Sequence, residues 1–441
     1  MKFISTGWLA GLLFLMGSQQ IICAQESFVR VENGRFFKNG HPYYFIGANY
    51  WYGGLIGISE PGKERIRQEL DFLKDNGVNN LRVLAAVEGS GLINGNPRVE
   101  PAYQPETGQF RDELLAGLDF LLAEMGKRQL TAVVMLSNNW EWSGGFLQYL
   151  NWNGRLSDSL LHMKMEWEDM RDYISRFYSC TPCIEQYQEQ VKRIITRINT
   201  VTGKKYNEDP AIMSWEIANE PRPMRPYAVN DYKKFIKQTS MLIRSLDPNH
   251  LITTGSEGYI GSESMSVYRS VHLEKEIDYL TIHIWPKNWA WFTDTSMATQ
   301  FNSVLLKTKK YIRKHQQLAQ SLRKPLVLEE FGLPRDGHSF SLSSGTVLRD
   351  RYFEFVFSVL VRDCHHEGPV AGAVFWAFGG IGRPAGKNKM WQKGDDWLGD
   401  PPMEEQGLNT VFDQDETTWA LIRKYAVQLT AKVRRAGKVS Q

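Results

Sequence analysis

The stretch Ser214-Trp-Glu-Ile-Ala-Asn-Glu-Pro221 is an apolar, strand-like run that ends in a carboxylate, and Leu326-Val-Leu-Glu-Glu-Phe-Gly332 repeats this arrangement further along the chain. Cleaving a glycosidic bond with retention requires two carboxyl groups about 5 Å apart, one protonated and one ionised. A (β/α)8 barrel brings such residues together, because all of its strands end on the face where active sites form. The two stretches therefore predict an α/β protein with the TIM (β/α)8 barrel fold, with Glu220 and Glu330 as its candidate catalytic residues.

The rest of the chain alternates short β-rich runs with amphipathic helical stretches, which is the pattern of βα units around a parallel sheet. Eight runs are predicted to be strands, at 43–48, 80–85, 131–136, 212–218, 251–255, 279–283, 326–330 and 371–376. Helices are predicted at 61–76, 112–127, 184–202, 230–246, 297–322, 345–366 and 417–434.

Two connecting segments, 137–182 and 379–415, are much longer than the usual two to six residues between barrel elements. Both follow strands at the predicted catalytic face. They are rich in Trp and Met, which argues against disordered linkers. We therefore expect long loops at the C-terminal face of the strands that form the walls of a substrate groove.

Composition limits the domain count and the class of partner. The 441 residues exceed a minimal barrel of about 250 but fit a barrel with insertions, so one domain is predicted over residues 25–441. With 52 basic and 49 acidic side chains the net charge is only +3, so no nucleic acid is expected as a partner. A neutral polymer suits this surface. The 14 Trp residues could bind the apolar faces of sugars, although aromatic rings also dominate protein cores.

The N-terminus is predicted to be a signal peptide, residues 1–24. Lys2 provides its positive charge, 8–16 is a short apolar run, and Ile22-Cys23-Ala24 provides a cleavage site. We therefore expect a protein that is secreted, or located in the periplasm or at the cell surface. A lipid anchor at Cys23 is less favoured, because Ile22 stands where such signals carry a small residue. No other apolar run is long enough to span a membrane, so no membrane-spanning segment is expected.

Three cysteines remain after the predicted cleavage. In a secreted protein a disulfide between Cys180 and Cys183 is expected, with Cys364 outside it and buried. Neither a thioredoxin-like setting nor additional zinc ligands surround the pair. The chain also has no metalloprotease motif, phosphate loop or dinucleotide fingerprint, so no metal and no cofactor are expected.

Several motifs resemble those of the retaining barrel glycosidases of glycoside hydrolase family 5: Asn219-Glu220-Pro221, His283 with Trp285, Glu330-Phe331-Gly332, and Trp376. Within that family, a longer set is similar to the endo-β-1,4-mannanases: LRVLAA, LSNNW, SWEIANEP, TTGSEG, HIWPKNW, LEEFG and FWAFGG. The resemblance extends over residues 28–426 in the same order.

Glu220 is predicted to be the general acid/base, so its surroundings should raise the pKa of its carboxyl group. The alternative is a helix-capping or surface carboxylate. Asn219 would bind the 2-hydroxyl of the sugar. Glu330 is predicted to be the nucleophile. Its neighbour Glu329 competes for this role, but successive strand residues point to opposite sides, so only one can enter the pocket. The family pattern selects Glu330, and Glu329 is then expected to point into the surrounding layer.

Other residues are predicted to support these two or to bind sugar. Arg82 would hold Glu330 ionised or form a structural ion pair, and His283 would orient the carboxylates or bind a hydroxyl group. The resemblance implies that Trp376 is a platform for the sugar ring and that Trp285 is part of the site. Residues for which sugar contact and packing both stay open are Trp51, Asn139, Trp140, Glu257, Tyr259, Trp289, Trp291, Trp391 and Trp397, with Arg335 and His338 as weaker candidates.

The sequence thus predicts a retaining endo-β-1,4-mannanase that acts as a monomer on β-mannan polysaccharide or oligosaccharide. The nearest alternative is an endo-β-1,4-glucanase, because few contacts distinguish mannose from glucose. A non-catalytic glycan-binding protein would need a damaged carboxylate pair, whereas both carboxylates are present. A mannosidase that acts on chain ends would use the long loops to block the groove.

Overall fold

The computed structural model describes residues 28–386 and 390–439. It begins with a small antiparallel sheet of β1 (Arg30–Glu32), β2 (Arg35–Lys38) and β3 (His41–Pro42). The buried ring of Phe36 in this sheet lies 5.3 Å from the ring of Tyr279. Because Tyr279 directly precedes a barrel strand, the small sheet covers the end of the barrel opposite the active-site face.

Within the described residues, eight parallel strands form the barrel: β4 (Phe45–Asn49), β5 (Asn80–Leu84), β6 (Thr131–Met135), β7 (Ile212–Glu216), β8 (Leu251–Thr253), β9 (Leu280–Ile284), β10 (Leu326–Phe331) and β11 (Val370–Phe375). Their side chains are buried throughout, as expected for a parallel sheet covered by helices. Each corresponds to a predicted strand, with ends within two residues. The predicted TIM barrel is therefore confirmed.

The junction between β8 and β9 differs from the other junctions in the barrel. The strand order is β8-β7-β6-β5-β4-β11-β10-β9, so β8 and β9 stand at the two ends, with no regular ladder between them among the described residues. Separate hydrogen bonds close the junction instead. The Asp278 amide donates to Ile252 O at 2.8 Å, and the His283 amide donates to Glu257 O at 3.1 Å.

The helices surround the barrel or lie in its loops: α1 (Gly53–Ile56), α2 (Glu60–Asp75), α3 (Asp112–Lys127), α4 (Gly145–Trp152), α5 (Asp158–His162), α6 (Trp167–Phe177), α7 (Thr181–Ile195), α8 (Val229–Leu246), α9 (Met265–His272), α10 (Met297–Leu322), α11 (Val347–His366) and α12 (Glu416–Val439). Local sequence sets several ends. Ser59 caps α2 by accepting a hydrogen bond from the Gly62 amide, and α10 ends at Arg323, which has left-handed φ of 55°. Two short strands, β12 (Phe378–Gly380) and β13 (Val411–Phe412), complete the fold.

Helix α7 corrects the predicted helix at 184–202. It begins three residues earlier and ends at Ile195. Beyond it, the Asn199 side chain accepts hydrogen bonds from the amides of Val201 and Thr202 at 2.8 and 3.1 Å. This local turn offers the backbone an alternative to the helix, and no helix continues there.

The segment 137–182, expected to be a loop, contains three helices, α4 to α6. In α6 the apolar residues Met170, Ile174 and Phe177 are buried, and their spacing of three and four residues is a helical signal. Cys180 and Cys183 form a disulfide directly before and within the first turn of α7, as predicted, and Cys364 is buried.

In the described part of the segment 379–415, the buried carboxylate of Asp400 connects several residues. It accepts hydrogen bonds from the amides of Gly407 and Asn409 and from the Thr410 hydroxyl, at 2.9, 3.2 and 2.6 Å. Among the residues that the structure describes, no helix is long and apolar enough to cross a membrane. The predicted signal peptide and Cys23 lie outside the described residues.

Candidate active site

A cavity of about 350 Å³ opens at the carboxyl ends of the barrel strands. Its lining comes from the end of β10, from the loops after the strands and from α6. It consists of Trp140, Glu141, Trp142, Trp167, Met170, Asn219, Glu220, Arg222, Glu257, Trp285, Asn288, Trp289, Glu330, Trp376, Met403 and Glu404. The mixture of aromatic rings and a few convergent polar groups is typical of a ligand site.

Glu220 enters the cavity from the segment after β7. Its backbone has left-handed φ of 49°, which is uncommon for a residue other than Gly, Asn or Asp. One carboxylate oxygen accepts a hydrogen bond from the Trp140 indole at 2.6 Å, and the other lies 2.7 Å from His283 Nδ1. The side chain is therefore held from two sides.

Glu330 lies on β10 and faces Glu220. Its Oε2 accepts a hydrogen bond from the Trp285 indole at 2.9 Å, and its Oε1 accepts one from Arg82. A carboxylate oxygen of Glu330 lies within 4.8 Å of one of Glu220. The structure thus brings together the two carboxylates that the sequence singled out.

Arg82 is fully buried on β5 and contacts the base of the site. Its guanidinium donates to both oxygens of Glu216 at 2.7 and 2.6 Å and to Asn219 Oδ1 at 2.7 Å. The side-chain nitrogen Nδ2 of Asn219 donates to Asn138 Oδ1 at 3.1 Å. Arg82 therefore orients Glu330 and Asn219 together, in addition to forming a structural ion pair with Glu216.

His283 lies between three carboxylates. Its Nδ1 is 2.7 Å from Glu220 and 3.3 Å from Glu330, and its Nε2 is 3.4 Å from Glu329. Burial alone lowers the pKa of His283, but the charge of Glu330 and hydrogen bonds to the three carboxylates raise it well above its ordinary value. These contacts favour the imidazolium form of the ring.

Glu329 does not point into the surrounding layer, which corrects the prediction made from strand alternation. The pairing of β10 with β9 shifts register between Leu328 and Glu330, so regular alternation is interrupted at this point. The Glu329 carboxylate is fully buried beside His283 and does not line the cavity.

The expectation that the surroundings raise the pKa of Glu220 is wrong for the protein contacts in this structure. Burial raises this pKa, but the hydrogen bond and charge of His283, the charge of Arg222 and the hydrogen bond from Trp140 outweigh it and hold the pKa at about 2. His283, whose pKa is raised, therefore holds a proton more readily than Glu220 does. Sequence reasoning missed this because it treated the two carboxyl groups as a pair without the imidazolium between them.

Other predicted residues form the cavity walls. The ring of Trp376 stands edge-on to Trp285 at 5.8 Å, and Trp289 lines the same cavity. Glu257 accepts a hydrogen bond from Arg222 at 2.6 Å, and the Arg222 guanidinium lies over the Trp140 ring at 4.7 Å. Arg222, which directly follows the Asn219-Glu220-Pro221 motif, was not predicted.

Trp51 and Asn139, for which sugar contact and packing both stayed open, lie outside the cavity. Trp51 is fully buried and donates its indole hydrogen to Gly399 O at 2.8 Å, so it packs the base of the 379–415 segment. Asn139 is also fully buried, and its Oδ1 accepts from the Arg222 amide at 3.3 Å.

The weaker candidates make other contacts. Arg335 is buried and forms an ion pair with Asp415 at 2.6 Å, and so does not reach a sugar. Packing also accounts for Trp391 and Trp397, whose rings stack at 4.3 Å. Candidates that likewise do not line the cavity are Tyr259, Trp291 and His338.

Besides Arg222, seven cavity residues were not predicted: Trp167 and Met170 from α6, Met403 and Glu404 from the 379–415 segment, and Glu141, Trp142 and Asn288. Burial, together with the charges of Asp400, Glu330 and Glu220, raises the pKa of Glu404 well above its ordinary value. These effects favour the protonated form of the Glu404 carboxyl group in the cavity. The apolar spacing within α6 could have identified Met170 as part of a helix.

Comparison with known proteins places this geometry in context. Residues 26–434 match the family model described as GH family 5 beta-mannosidase-like. The chain is 28% identical over 383 residues to mannan endo-1,4-beta-mannosidase 1 of Arabidopsis thaliana, covering 83% of this chain and 85% of that protein. The crystal structure of a glycoside hydrolase family 5 mannosidase from Rhizomucor miehei is 30% identical, with a TM-score of 0.84 and coverage of 93% and 99%. A mutant of that enzyme in complex with mannosyl-fructose is also 30% identical, with a TM-score of 0.82 and coverage of 92% and 98%.

Proposed function

The chain belongs to the glycoside hydrolase family 5 beta-mannosidase-like family, and on this premise we propose that it is a retaining endo-β-1,4-mannanase. Its substrates are mannan, glucomannan or galactomannan and their oligosaccharides. The curated relative is named a mannan endo-1,4-beta-mannosidase, and the Rhizomucor miehei complex contains mannosyl-fructose, which support a β-mannoside as the substrate.

One observation carries the mechanistic part of the proposal: a carboxylate oxygen of Glu220 lies within 4.8 Å of one of Glu330. Retaining glycosidases hold their two carboxyl groups about 5 to 5.5 Å apart, whereas inverting enzymes leave room for a water molecule at about 6.5 to 9.5 Å. The short separation favours double displacement with retention.

In the first step, a Glu330 oxygen attacks the anomeric carbon while the bond to the leaving oxygen breaks, and that oxygen takes a proton from Glu220. In the second step, water gives a proton to Glu220 and its oxygen attacks the anomeric carbon, which releases Glu330. Arg82 and Trp285 orient the nucleophile by donating hydrogen bonds to its two oxygens.

His283 supplies the proton to Glu220. Substrate displaces water from the cavity, which disfavours the charged form of a carboxylate and raises the pKa of Glu220. The 2.7 Å contact between His283 Nδ1 and Glu220 then provides a direct route for the proton. Glu220 accordingly becomes an acid in the complex, although its protein contacts alone favour the ionised form.

Substrate choice and the site of cleavage are tested together. Purified enzyme should release reducing sugar from linear mannan and much less from carboxymethylcellulose; the reverse preference would favour the glucanase alternative. Failure to hydrolyse any β-glycan that the protein binds would indicate a binding protein.

A second candidate function is exo-action at chain ends, because the solved structure with a TM-score of 0.84 is titled a mannosidase. Mannopentaose distinguishes the two candidates. An endo-enzyme releases mannobiose and mannotriose early, whereas an exo-enzyme releases mannose and mannotetraose.

The roles of the two carboxylates are separated with azide and an aryl β-mannoside whose leaving group needs no proton. Glu330→Ala should be inactive alone and should yield α-mannosyl azide, because azide attacks the anomeric carbon directly. Glu220→Ala should still form the glycosyl-enzyme and should yield β-mannosyl azide. Identical azide products from both variants would contradict these assignments.

The proposal also includes location and assembly. The enzyme is a single catalytic domain over residues 25–441 that is secreted or held in the periplasm or at the cell surface after removal of residues 1–24. The disulfide between Cys180 and Cys183 suits an oxidising compartment. The enzyme acts as a monomer, since one chain provides every wall of the cavity described above; light scattering during gel filtration tests this.

A further inference from the structure

Trp167 is an exposed aromatic residue at the rim of the cavity, in the first turn of α6. Its side chain is 44% exposed, although it lines the cavity together with Met170. The Trp140 ring lies next to it, with ring centroids 6.1 Å apart and planes inclined by only 31°. The two indoles therefore form an aromatic surface at this rim, beside the Arg222 guanidinium that lies over the Trp140 ring.

This surface lies on the side of Glu220 that faces away from the nucleophile. Glu220 directs one oxygen to His283, which also contacts Glu330, and the other oxygen to the Trp140 indole. The anomeric carbon must lie at Glu330, and the leaving oxygen must lie at Glu220. The leaving group of the sugar chain therefore extends from Glu220 toward Trp140 and Trp167.

Ion pairs fix α6 in this position. Arg225, five residues after Glu220, pairs with Asp172 at 2.5 Å and Glu168 at 2.8 Å on α6. Arg171 of α6 donates to Met224 O at 2.7 Å. The helix that carries Trp167 is therefore connected directly to the segment that carries the acid/base.

We propose that Trp140 and Trp167 form a two-ring platform that binds two sugar units of the leaving group, which makes Trp167 a residue that determines specificity for chain length. This rests on the proposed function but applies equally to endo- and exo-action, because both leave sugar units on this side. Flat aromatic rings suit the apolar faces of pyranose rings, and removal of one ring exposes those faces to water.

The test is Trp167→Ala assayed on two substrates. For mannopentaose, which has sugar units in the leaving group, kcat/KM should fall about tenfold, mainly through KM. For 4-nitrophenyl β-mannoside, whose leaving group contains no sugar, kcat/KM should not change. Trp167→Phe keeps a ring and should recover most of the activity on mannopentaose.

Tyr173→Ala is the matched control, because Tyr173 is an aromatic residue of the same helix that does not line the cavity. It should leave both substrates unaffected. Two results would overturn the platform: an equal loss of kcat/KM on both substrates, or no loss on mannopentaose in a folded Trp167→Ala. In either case, activity of the wild-type enzyme on mannan would leave the proposed function intact. An inactive wild-type enzyme would instead refute the proposed function, and the platform with it.

Discussion

Replacing His283 by Gln removes the imidazolium between the two carboxylates. The Nδ1 atom of His283 lies 2.7 Å from Glu220. At an effective dielectric constant of about 20, an imidazolium and a carboxylate whose charge centres are about 5 Å apart attract each other by about 3.3 kcal/mol. At about 1.4 kcal/mol per pKa unit, the loss of this attraction corresponds to about 2.4 units. The pKa of Glu220 should therefore rise from about 2 to about 4.4 or higher, since the hydrogen bond from His283 is lost as well.

The change should appear in the pH dependence of kcat/KM on mannopentaose. In the wild-type enzyme His283 holds the catalytic proton, and its pKa is well above its ordinary value. In His283→Gln the proton must reside on Glu220, so the basic limb should move to lower pH by at least about one unit. With an aryl β-mannoside whose leaving group needs no proton, the pH dependence of kcat/KM should lack this basic limb in both the wild type and His283→Gln.

His272→Gln provides the control. His272 is also a buried histidine, but burial lowers its pKa to about 3, so it is neutral and contributes no proton. The control should keep the wild-type profile. A basic limb at the same pH in His283→Gln and the wild type would refute the assignment of the proton to His283.

Three further predictions concern residues around the site. Glu404→Gln should keep activity at neutral pH and should reduce the decline of thermal stability from pH 5 to 9. Because the pKa of Glu404 is raised, the stability of the wild-type protein falls as the pH rises and this carboxyl group ionises. Thermal unfolding scans across pH measure the effect. Arg82→Met should lower the free energy of unfolding by about 3 to 5 kcal/mol in denaturant titrations, because Glu216 stays buried without its partner, and adding Glu216→Gln should recover part of the loss. Cys180→Ser should cost about 2 kcal/mol in the same titrations without altering kcat/KM, because the disulfide to Cys183 closes only a short loop and lies outside the cavity.

Much of the barrel could be predicted from the sequence because buried parallel strands are continuous apolar runs. The run that ends at Ala218 and the one that ends at Glu330 each identified a strand to within two residues. Turns that depend on one side chain were harder, as shown by Asn199 after α7, where the helical pattern continues beyond the helix. Helix α6 was missed because its eleven residues lie in a segment interpreted as loop.

At the site, the sequence identified residues at strand ends but not those brought in by long loops. Glu330 and Trp376 follow apolar runs, whereas Glu404 reaches the cavity through a loop whose shape depends on hydrogen bonds to Asp400. A Trp near a strand end can face either the cavity or the core, and Trp51 faces the core. The pKa of Glu220 depends on contacts between residues at the ends of three strands, and no local sequence pattern predicts such contacts.

The junction between β8 and β9 has a consequence for how the enzyme loses activity on heating. Glu220 follows β7 on one side of it, whereas His283 and Glu330 lie on β9 and β10 on the other side. Separate hydrogen bonds resist local opening less than a regular ladder does, so the barrel should part here first as temperature rises. Such local opening would increase the distance between the carboxylates of Glu220 and Glu330. Heat inactivation should therefore begin below the temperature at which the helices melt, and a sugar bound across the cavity should delay it.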